Sequence, residues 1–223
     1  KWQLPTDDGG WKDSPYWSYG SVSNPVRTAY ESGYTKNYSR TFNGNFNGTL
    51  LLGEGMNINT QYAYNYYTRD VKDWSPTMPR FLGDGTPHPA NDNAENSIAE
   101  THRSILTQTL ATTFNYEKKL AKHGVKLLAG FSQEWAYMPV LSASRKKILL
   151  DGVEEIDGGT EDITNSGTAE HWALRSYFGR INYDFDEKYL VEANVRYDGT
   201  SRFAKNNRWG MFPSFSAGWK FTE

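Results

Sequence analysis

Apolar and polar residues alternate along most of the chain beyond residue 37, and this alternation restricts the fold more than any other feature. In residues 189–198 the odd positions are apolar or aromatic, whereas the even positions, except Leu190, are charged or carry an amide. Six further segments show the same pattern with a few exceptions: residues 38–51, 56–69, 102–116, 125–137, 175–185 and 211–222. Because successive side chains of a β-strand point to opposite faces, the pattern predicts seven strands with one apolar and one polar face. Each is longer than the usual strand of about 5–6 residues.

The connections between these segments alternate in length. Short connections at residues 53–55, 117–124 and 186–188 alternate with longer ones at residues 70–100, 138–173 and 199–210. Bacterial outer-membrane barrels combine short periplasmic turns with long extracellular loops, and their strands need about 9–11 residues to cross the bilayer. The sequence therefore predicts an all-β fold, an antiparallel transmembrane β-barrel segment of about seven strands with long extracellular loops. Both long loops, 70–100 and 138–173, are expected at one end of the sheet.

The aromatic residues have the positions expected of a membrane-spanning barrel. Tyr183, Phe185 and Tyr189 flank one tight turn, and Tyr177 and Tyr197 lie near the opposite ends of their segments. Aromatic girdles border the apolar band of such barrels at both interfaces. The polar side, rich in charges and amides, is typical of a hydrated lumen.

Composition excludes several other classes of protein. The 223 residues include 24 Lys and Arg against 26 Asp and Glu, so no basic excess is present to bind nucleic acid. No run approaches the roughly 18 apolar residues of a membrane-spanning helix. Cysteine is absent, which excludes disulfides and thiolate metal sites within this chain. Aromatic residues make up 15% and hydrophobic residues 37%, a balance that suits strands more than a helical bundle.

The last fifty residues resemble a known family. The resemblance is carried in order by residues 176–184 (SYFGRINYD), 188–193 (KYLVEA), 196–203 (RYDGTSRF), 207–210 (NRWG) and 212–219 (FPSFSAGW). This string is similar to the mid-barrel segment of the SusC/RagA-like TonB-dependent outer-membrane transporters. Residues 56–75 resemble an earlier hairpin of the same family less specifically.

The resemblance implies a barrel of about 22 strands with a plug in its lumen, of which residues 1–223 would be one part. The plug domain and the remaining strands are expected to lie outside this chain. The implied function is import of a nutrient across the outer membrane, driven by the TonB complex. The substrate would be an oligosaccharide, or less commonly a peptide, and a SusD-like surface lipoprotein would cap the barrel. This chain would supply barrel wall and outer loops, in contact with outer-membrane lipid, and would perform no catalysis.

Two groups of residues are candidates for the functional surface. Five polar residues are expected to face the lumen: Arg180, Glu192, Asn194, Arg196 and Asp198. They either line a substrate path or, as the pairing of opposite charges favours, form a network that holds the wall or meets the plug. Four tryptophans, Trp11, Trp17, Trp74 and Trp172, are candidates for contact with substrate or with the lipoprotein lid. Their alternative role is packing within loops or at the membrane interface.

No catalytic or metal site is predicted, and no cofactor. His88, His102, His123 and His171 share no ligand spacing. Residues 157–162 resemble a calcium loop but lack the EF-hand pattern, so a solvated acidic loop tip is favoured. Glu154 and Glu155 are expected to be solvated, no carboxylate pair is selected for glycoside hydrolysis, and no G-x-S-x-G elbow is present.

Some alternatives remain open at the level of the sequence. The same strands could belong to a soluble all-β glycan-binding module, to an extracellular β-rich hydrolase or to a passive porin. A short helix at residues 93–100 is a further local possibility. Whichever class applies, the strands at 38–51 and 211–222 would be the outer strands of the sheet. In a barrel, we expect both to pair with strands outside the chain.

Overall fold

A computed structural model of the chain describes residues 3–5, 11–13, 25–80, 89, 93–150 and 152–221. The described residues form nine strands and one α-helix: β1 (Gln3–Pro5), β2 (Trp11–Asp13), α1 (Pro25–Glu31), β3 (Tyr34–Gly53), β4 (Met56–Ser75), β5 (Ser97–Leu120), β6 (His123–Ile148), β7 (Gly159–Phe185), β8 (Tyr189–Thr200) and β9 (Trp209–Trp219). Short 3₁₀ turns occupy Ile156–Gly158 and Lys205–Asn207. No helix among the described residues is long and apolar enough to cross a membrane.

The strands β3 to β9 form one antiparallel sheet in which each strand pairs with its neighbours in sequence. This arrangement confirms the all-β prediction and the predicted number of main strands. Because direction alternates from strand to strand, the turns at 54–55, 121–122 and 186–188 lie at one end of the sheet. The connections at 76–96, 149–158 and 201–208 lie at the other, which confirms the expected alternation.

The tight turns depend on residues that adopt positive φ. Gly55 has φ of 72°, and a β-carbon placed on it would lie 2.0 Å from the main-chain oxygen of Glu117. A side chain is therefore excluded at Gly55 both by backbone strain and by space. In the β7–β8 turn Asp186 and Glu187 have φ of 54° and 52°, so two consecutive left-handed residues reverse the chain without glycine.

The strands are longer and the loops shorter than the alternation predicted. β6 and β7 have 26 and 27 residues, so the predicted loop at 138–173 contracts to residues 149–158. The predicted loop at 70–100 contracts to 76–96, and the turn at 117–124 to residues 121–122. The prediction was wrong at these positions because their side chains are polar or mixed on both faces. Backbone pairing with neighbouring strands continues there without an apolar face to reveal it.

Two local predictions are also corrected. The region 1–37, which shows no periodicity, contains β1 and β2, paired with each other, as well as α1. The helix considered at 93–100 is not formed, since β5 begins at Ser97 and Asn93 makes an isolated bridge to Met78. β-branched residues from Thr101 onward favour the strand.

The chain divides into two compact units. Unit 1 comprises residues 1–39, 69–103 and 140–168, and unit 2 comprises residues 40–68, 104–139 and 169–223. Unit 1 contains the connections at 76–96 and 149–158. Unit 2 contains the three tight turns and the whole of β8 and β9.

Few apolar side chains are buried. Among the described residues the buried apolar side chains are those of Met78, Ile98, Ala136 and Ile148. Phe215 and Trp219 of unit 2, by contrast, are 80% and 61% exposed. A single sheet whose large apolar side chains lie uncovered is stable only where a nonaqueous environment or another layer covers them.

Candidate functional surface

The register of β7, β8 and β9 assigns the side chains of unit 2 to two faces. Arg180 lies opposite Asn194, which lies opposite Ser214, and Glu192 lies opposite Ser216. Because directly opposite residues share a face and neighbours along a strand do not, these rows define a polar face. All five polar candidates lie on it: Arg180, Glu192, Asn194, Arg196 and Asp198.

Hydrogen bonds join most of the polar candidates. The Glu192 carboxylate accepts one bond from the Asn182 amide, at 2.5 Å, and one from the Asn194 amide, at 2.7 Å. Nε of Arg196 donates to both oxygens of Asp198, at 2.7 and 2.9 Å. Its Nη2 donates to the hydroxyl of the buried Ser176, at 3.0 Å. Arg180 makes no hydrogen bond or ion pair with another described residue, but its charge interacts with the Glu192 carboxylate.

The opposite face of unit 2 carries two bands of aromatic rings. In the first band Tyr177 and Tyr197 stack on Trp209, with ring centroids 6.2 and 4.8 Å apart. In the second, Tyr189 stacks between Phe185 and Trp219, with centroids 6.5 and 6.4 Å apart.

The distance between the two bands matches a membrane. Tyr189 and Tyr197 are eight positions apart in β8, which at a barrel's strand tilt corresponds to about 20 Å. The strip between them carries exposed apolar residues such as Val191 and Val195. The apolar band of a transmembrane barrel is about 25 Å tall and is bordered by aromatic girdles. This face therefore has the dimensions of a lipid-facing surface.

Unit 1 contains a groove of about 990 Å³. Hydroxyl groups line much of it, contributed by Ser32, Thr35, Ser75, Ser97, Ser144 and Thr164. The Thr35 hydroxyl donates to Asp73 at 2.5 Å, and the hydroxyls of Ser144 and Thr164 are 2.6 Å apart. Apolar side chains, among them Trp74 and Ile98, also line the groove, and several of its hydroxyls bond to other lining residues.

The acidic loop tip at 157–162 pairs with basic residues of β6. Arg145 contacts Asp157 at 3.2 Å, Lys146 contacts Asp162 at 2.7 Å, and Lys147 contacts Glu161. Hydrogen bonds to these carboxylates raise the pKa of Lys146 and of Lys147. With their carboxylates engaged in this way, residues 157–162 have the geometry of a paired hairpin and not of a calcium loop. Elsewhere in the described part of the chain, too, no three His, Asp or Glu side chains could hold a metal ion.

The β6–β7 loop makes polar contacts at its acidic side. The Glu155 side chain is 72% exposed, as expected of a solvated carboxylate, whereas Glu154 is only partly exposed. The Tyr34 hydroxyl donates to Glu154. The Lys72 ammonium lies 3.0 Å from Glu155 and 3.1 Å from Glu100. Leu149 and Leu150 in the same loop remain 65% and 66% exposed. The loop is therefore held in place by polar contacts and not by burial.

Removing the Tyr34 hydroxyl should loosen this loop. The hydrogen bond to Glu154 raises the pKa of Tyr34 above its usual 10.0, so its contribution is complete below pH 10 and lost as the pH rises through the raised pKa. Tyr34→Phe should speed amide hydrogen exchange in residues 149–158 about threefold to tenfold at neutral pH, as expected for one partly exposed hydrogen bond. Tyr38→Phe in the same strand is the matched control and should leave exchange unchanged. Equal exchange in wild type and Tyr34→Phe would show that the bond does not hold the loop.

The structure describes the side chains of two of the four tryptophan candidates, Trp74 and Trp172. Trp74 lies at the end of β4 and lines the hydroxyl-rich groove. Trp172 lies inside β7, although the sequence predicts a loop at 138–173, and the Arg202 guanidinium lies 4.8 Å above its ring. Trp11 belongs to β2, and Trp17 lies outside the described residues. Their contact with substrate or lid stays a prediction.

His102 and His123 make separate contacts. His102 contacts Asp70 at 2.5 Å in unit 1, and His123 contacts the Tyr183 hydroxyl at 2.7 Å in unit 2. His88 lies outside the described residues.

The sheet has one apolar face bordered by aromatic bands and one face of hydrogen-bonded polar side chains. These are the features of the wall of a membrane β-barrel. The family model described as "TonB dependent receptor-like, beta-barrel" matches residues 1–223, so the chain belongs to this family of outer-membrane β-barrels. Among its relatives, the TonB-dependent receptor P39 of Formosa agariphila is 31% identical over 176 residues, 77% of this chain and 16% of that receptor. The TonB-dependent receptor SusC of Bacteroides thetaiotaomicron is 56% identical over 50 residues, 22% of this chain and 5% of that receptor.

The fold is also that of a solved transporter. The structure described as the RagAB peptide transporter superposes with a TM-score of 0.75 at 21% identity, covering 88% of this chain and 21% of that one. The chain thus spans about one fifth or less of the proteins it matches. These comparisons confirm the resemblance to SusC/RagA-like TonB-dependent receptors.

Proposed function

We propose that this chain forms part of the wall of a TonB-dependent importer that carries a nutrient across the outer membrane. The nutrient is an oligosaccharide, with a peptide as the alternative. The observation that carries the proposal is the pair of aromatic bands bordering an exposed apolar strip, opposite a face of hydrogen-bonded polar residues. Membership of a receptor family supports the absence of enzymatic activity.

In this proposal the apolar face meets lipid and the polar face meets the lumen. An exposed Val191 or Phe215 is stable against acyl chains and costly against water. The carboxylates and guanidinium groups of the other face are costly in hydrocarbon, and they are accommodated in a hydrated lumen. Glu192 and Arg196 would hold β7 and β8 in register through their bonds to Asn182 and Ser176. Asn194 and Asp198 would orient these two side chains from within β8. Arg180 would remain open to a ligand.

The remaining parts of the importer come from the relatives. A plug would close the lumen, the TonB complex would rearrange it, and a SusD-like lipoprotein would deliver substrate at the outer end. The receptor names of SusC and P39 support TonB coupling, and the RagAB transporter supports a peptide as the alternative cargo.

The alternatives from other classes fit less well. A soluble glycan-binding module would cover its apolar face with a second sheet, and no second layer covers this face within the described residues. A passive porin would share the same wall, so only energy coupling distinguishes it from an importer. A hydrolase requires two carboxylates poised over a bond, and the polar face instead engages Glu192 and Asp198 in hydrogen bonds.

Uptake by the intact receptor tests the proposal. Cells that carry the full-length gene should accumulate a labelled oligosaccharide or peptide, and should stop when TonB is deleted or the proton gradient is collapsed. A matched strain lacking only the receptor gene is the control. Uptake that persists without TonB would indicate a porin. Failure to take up either class of nutrient would contradict the proposal.

A further inference from the structure

Two phenylalanines interrupt the polar face. In the register of β7, β8 and β9, Phe178 lies opposite Arg196, and Arg196 lies opposite Phe212. The three side chains therefore form one row across the sheet, on the same face as Glu192 and Asn194. Neighbouring strands are about 4.8 Å apart, so the two phenylalanines flank the arginine at a mutual distance of about 10 Å.

The ring of Phe178 is held against the neighbouring strand by a glycine. A β-carbon on Gly130 would lie 2.2 Å from the Phe178 ring, so a larger residue at position 130 would displace the ring. The Arg196 guanidinium lies 5.6 Å from the ring centroid. The Phe212 ring lies over Gly210, where a β-carbon would be 3.1 Å from it, and Phe212 is 60% exposed. The row thus offers one fixed aromatic ring and one exposed ring.

These residues border a groove of about 470 Å³ with a positive character. Its charged lining residues are Arg180 and Arg196, and no carboxylate lines it among the described residues. Arg196 is engaged by Asp198. The guanidinium of Arg180 makes no hydrogen bond or ion pair with a described residue and interacts with the Glu192 carboxylate only at longer range. Asn194 and Ser214 lie in the row beside Arg180 and add hydrogen-bonding groups.

We propose that this groove binds an acidic sugar, a ring that bears a carboxylate, as a unit of the imported oligosaccharide. This inference rests on the proposed function, import of an oligosaccharide, and adds that the imported oligosaccharide is negatively charged. Arg180 receives the carboxylate, because a guanidinium binds a carboxylate with two parallel hydrogen bonds. Phe178 and Phe212 receive the apolar faces of the sugar rings, and the carbonyl oxygen of the Asn194 side chain accepts a bond from a ring hydroxyl.

The backbone of the groove favours a sugar over an extended peptide. A peptide that binds to a sheet uses free main-chain N–H and C=O groups at an edge. β8 pairs with β7 on one side and β9 on the other throughout the groove, so it has no free edge to offer. Recognition is left to side chains, and flat aromatic rings suit the flat face of a sugar.

Binding to the purified full-length receptor tests the proposal. The probes are a tetramer of galacturonic acid and a neutral tetramer of galactose with the same linkage, compared by calorimetry at low ionic strength. Wild type should bind the acidic tetramer about tenfold more tightly, and the preference should shrink in high salt. Arg180→Gln should remove the preference without weakening binding of the neutral tetramer. Phe212→Ala should weaken both.

The controls separate ligand contact from folding. Phe215→Ala lies on the same strand but the opposite face, and it should change neither affinity. Arg180→Lys should keep part of the preference, which a folding defect would not. The gel mobility of each variant, compared before and after heating, verifies that the variant is a folded barrel.

Three results would overturn the inference. Equal binding of the two tetramers in wild type, or an unchanged preference in Arg180→Gln, would exclude an acidic-sugar site. Binding of an acidic peptide in competition, with no binding of either tetramer, would assign the groove to another ligand. A photo-crosslinker at position 212 that couples to another part of the receptor, whether or not sugar is present, would assign the groove to an internal contact. None of these outcomes would abolish TonB-dependent uptake by the intact receptor. The uptake experiment therefore distinguishes failure of this inference from failure of the proposed function.

Discussion

Ala193→Arg should destabilise the folded barrel in lipid by about 2–4 kcal/mol, the cost of a cation at the centre of a bilayer on the lipid-facing side. Ala193 lies midway between the bands marked by Tyr189 and Tyr197. Its neighbours in the same row are Ile181 and Phe215, both apolar and exposed. Val191→Arg, nearer the band of Tyr189, should cost less because the penalty falls toward the interface. Urea titrations of the full-length barrel folded into vesicles measure both values.

Asn194→Arg is the matched control, one position further along β8 and on the polar face. Its new charge would enter a hydrated face, where the adjacent Glu192 carboxylate offsets repulsion from Arg180 opposite it, so its cost should be much smaller. If Ala193→Arg and Asn194→Arg gave equal penalties, the assignment of lipid and lumen faces would be wrong. If the control cost more, the faces would be exchanged.

The alternation in the sequence was sufficient to predict the faces of the membrane-spanning part. Residues 189–198 alternate because one side contacts an apolar surrounding and the other a polar one, and the register places both sets as expected. Outside the bands this contrast disappears, since both faces carry polar or mixed side chains. Residues 140–148 and 159–168 therefore showed no period, although they pair as strands. Their pairing depends on neighbouring strands and not on local pattern.

The details of the polar face required the structure. Phe178 breaks the alternation of its segment, and the reason is Gly130 on the adjacent strand, 48 positions earlier in the chain. No local rule relates the two residues. The ion pairs of the β6–β7 hairpin had a usable signal, because three basic residues at 145–147 and acidic residues at 157–162 flank one loop. Opposite charge runs on both sides of a turn predict such pairing.

The two outer strands of the sheet should make the isolated 223-residue chain aggregate in water. β3 and β9 each pair on one side only, which leaves a row of N–H and C=O groups unpaired along each. Each such group costs several kcal/mol in hydrocarbon, and in water long open edges bind further strands. The exposed Phe215, Trp219 and Leu51 reinforce this tendency. We therefore expect both edges to be paired in the intact barrel, and the chain alone to sediment as large particles without detergent.

The same preparation in detergent micelles is the control and should contain smaller species. A monodisperse, detergent-free monomer would contradict the barrel and favour a soluble β-sandwich with its apolar face covered.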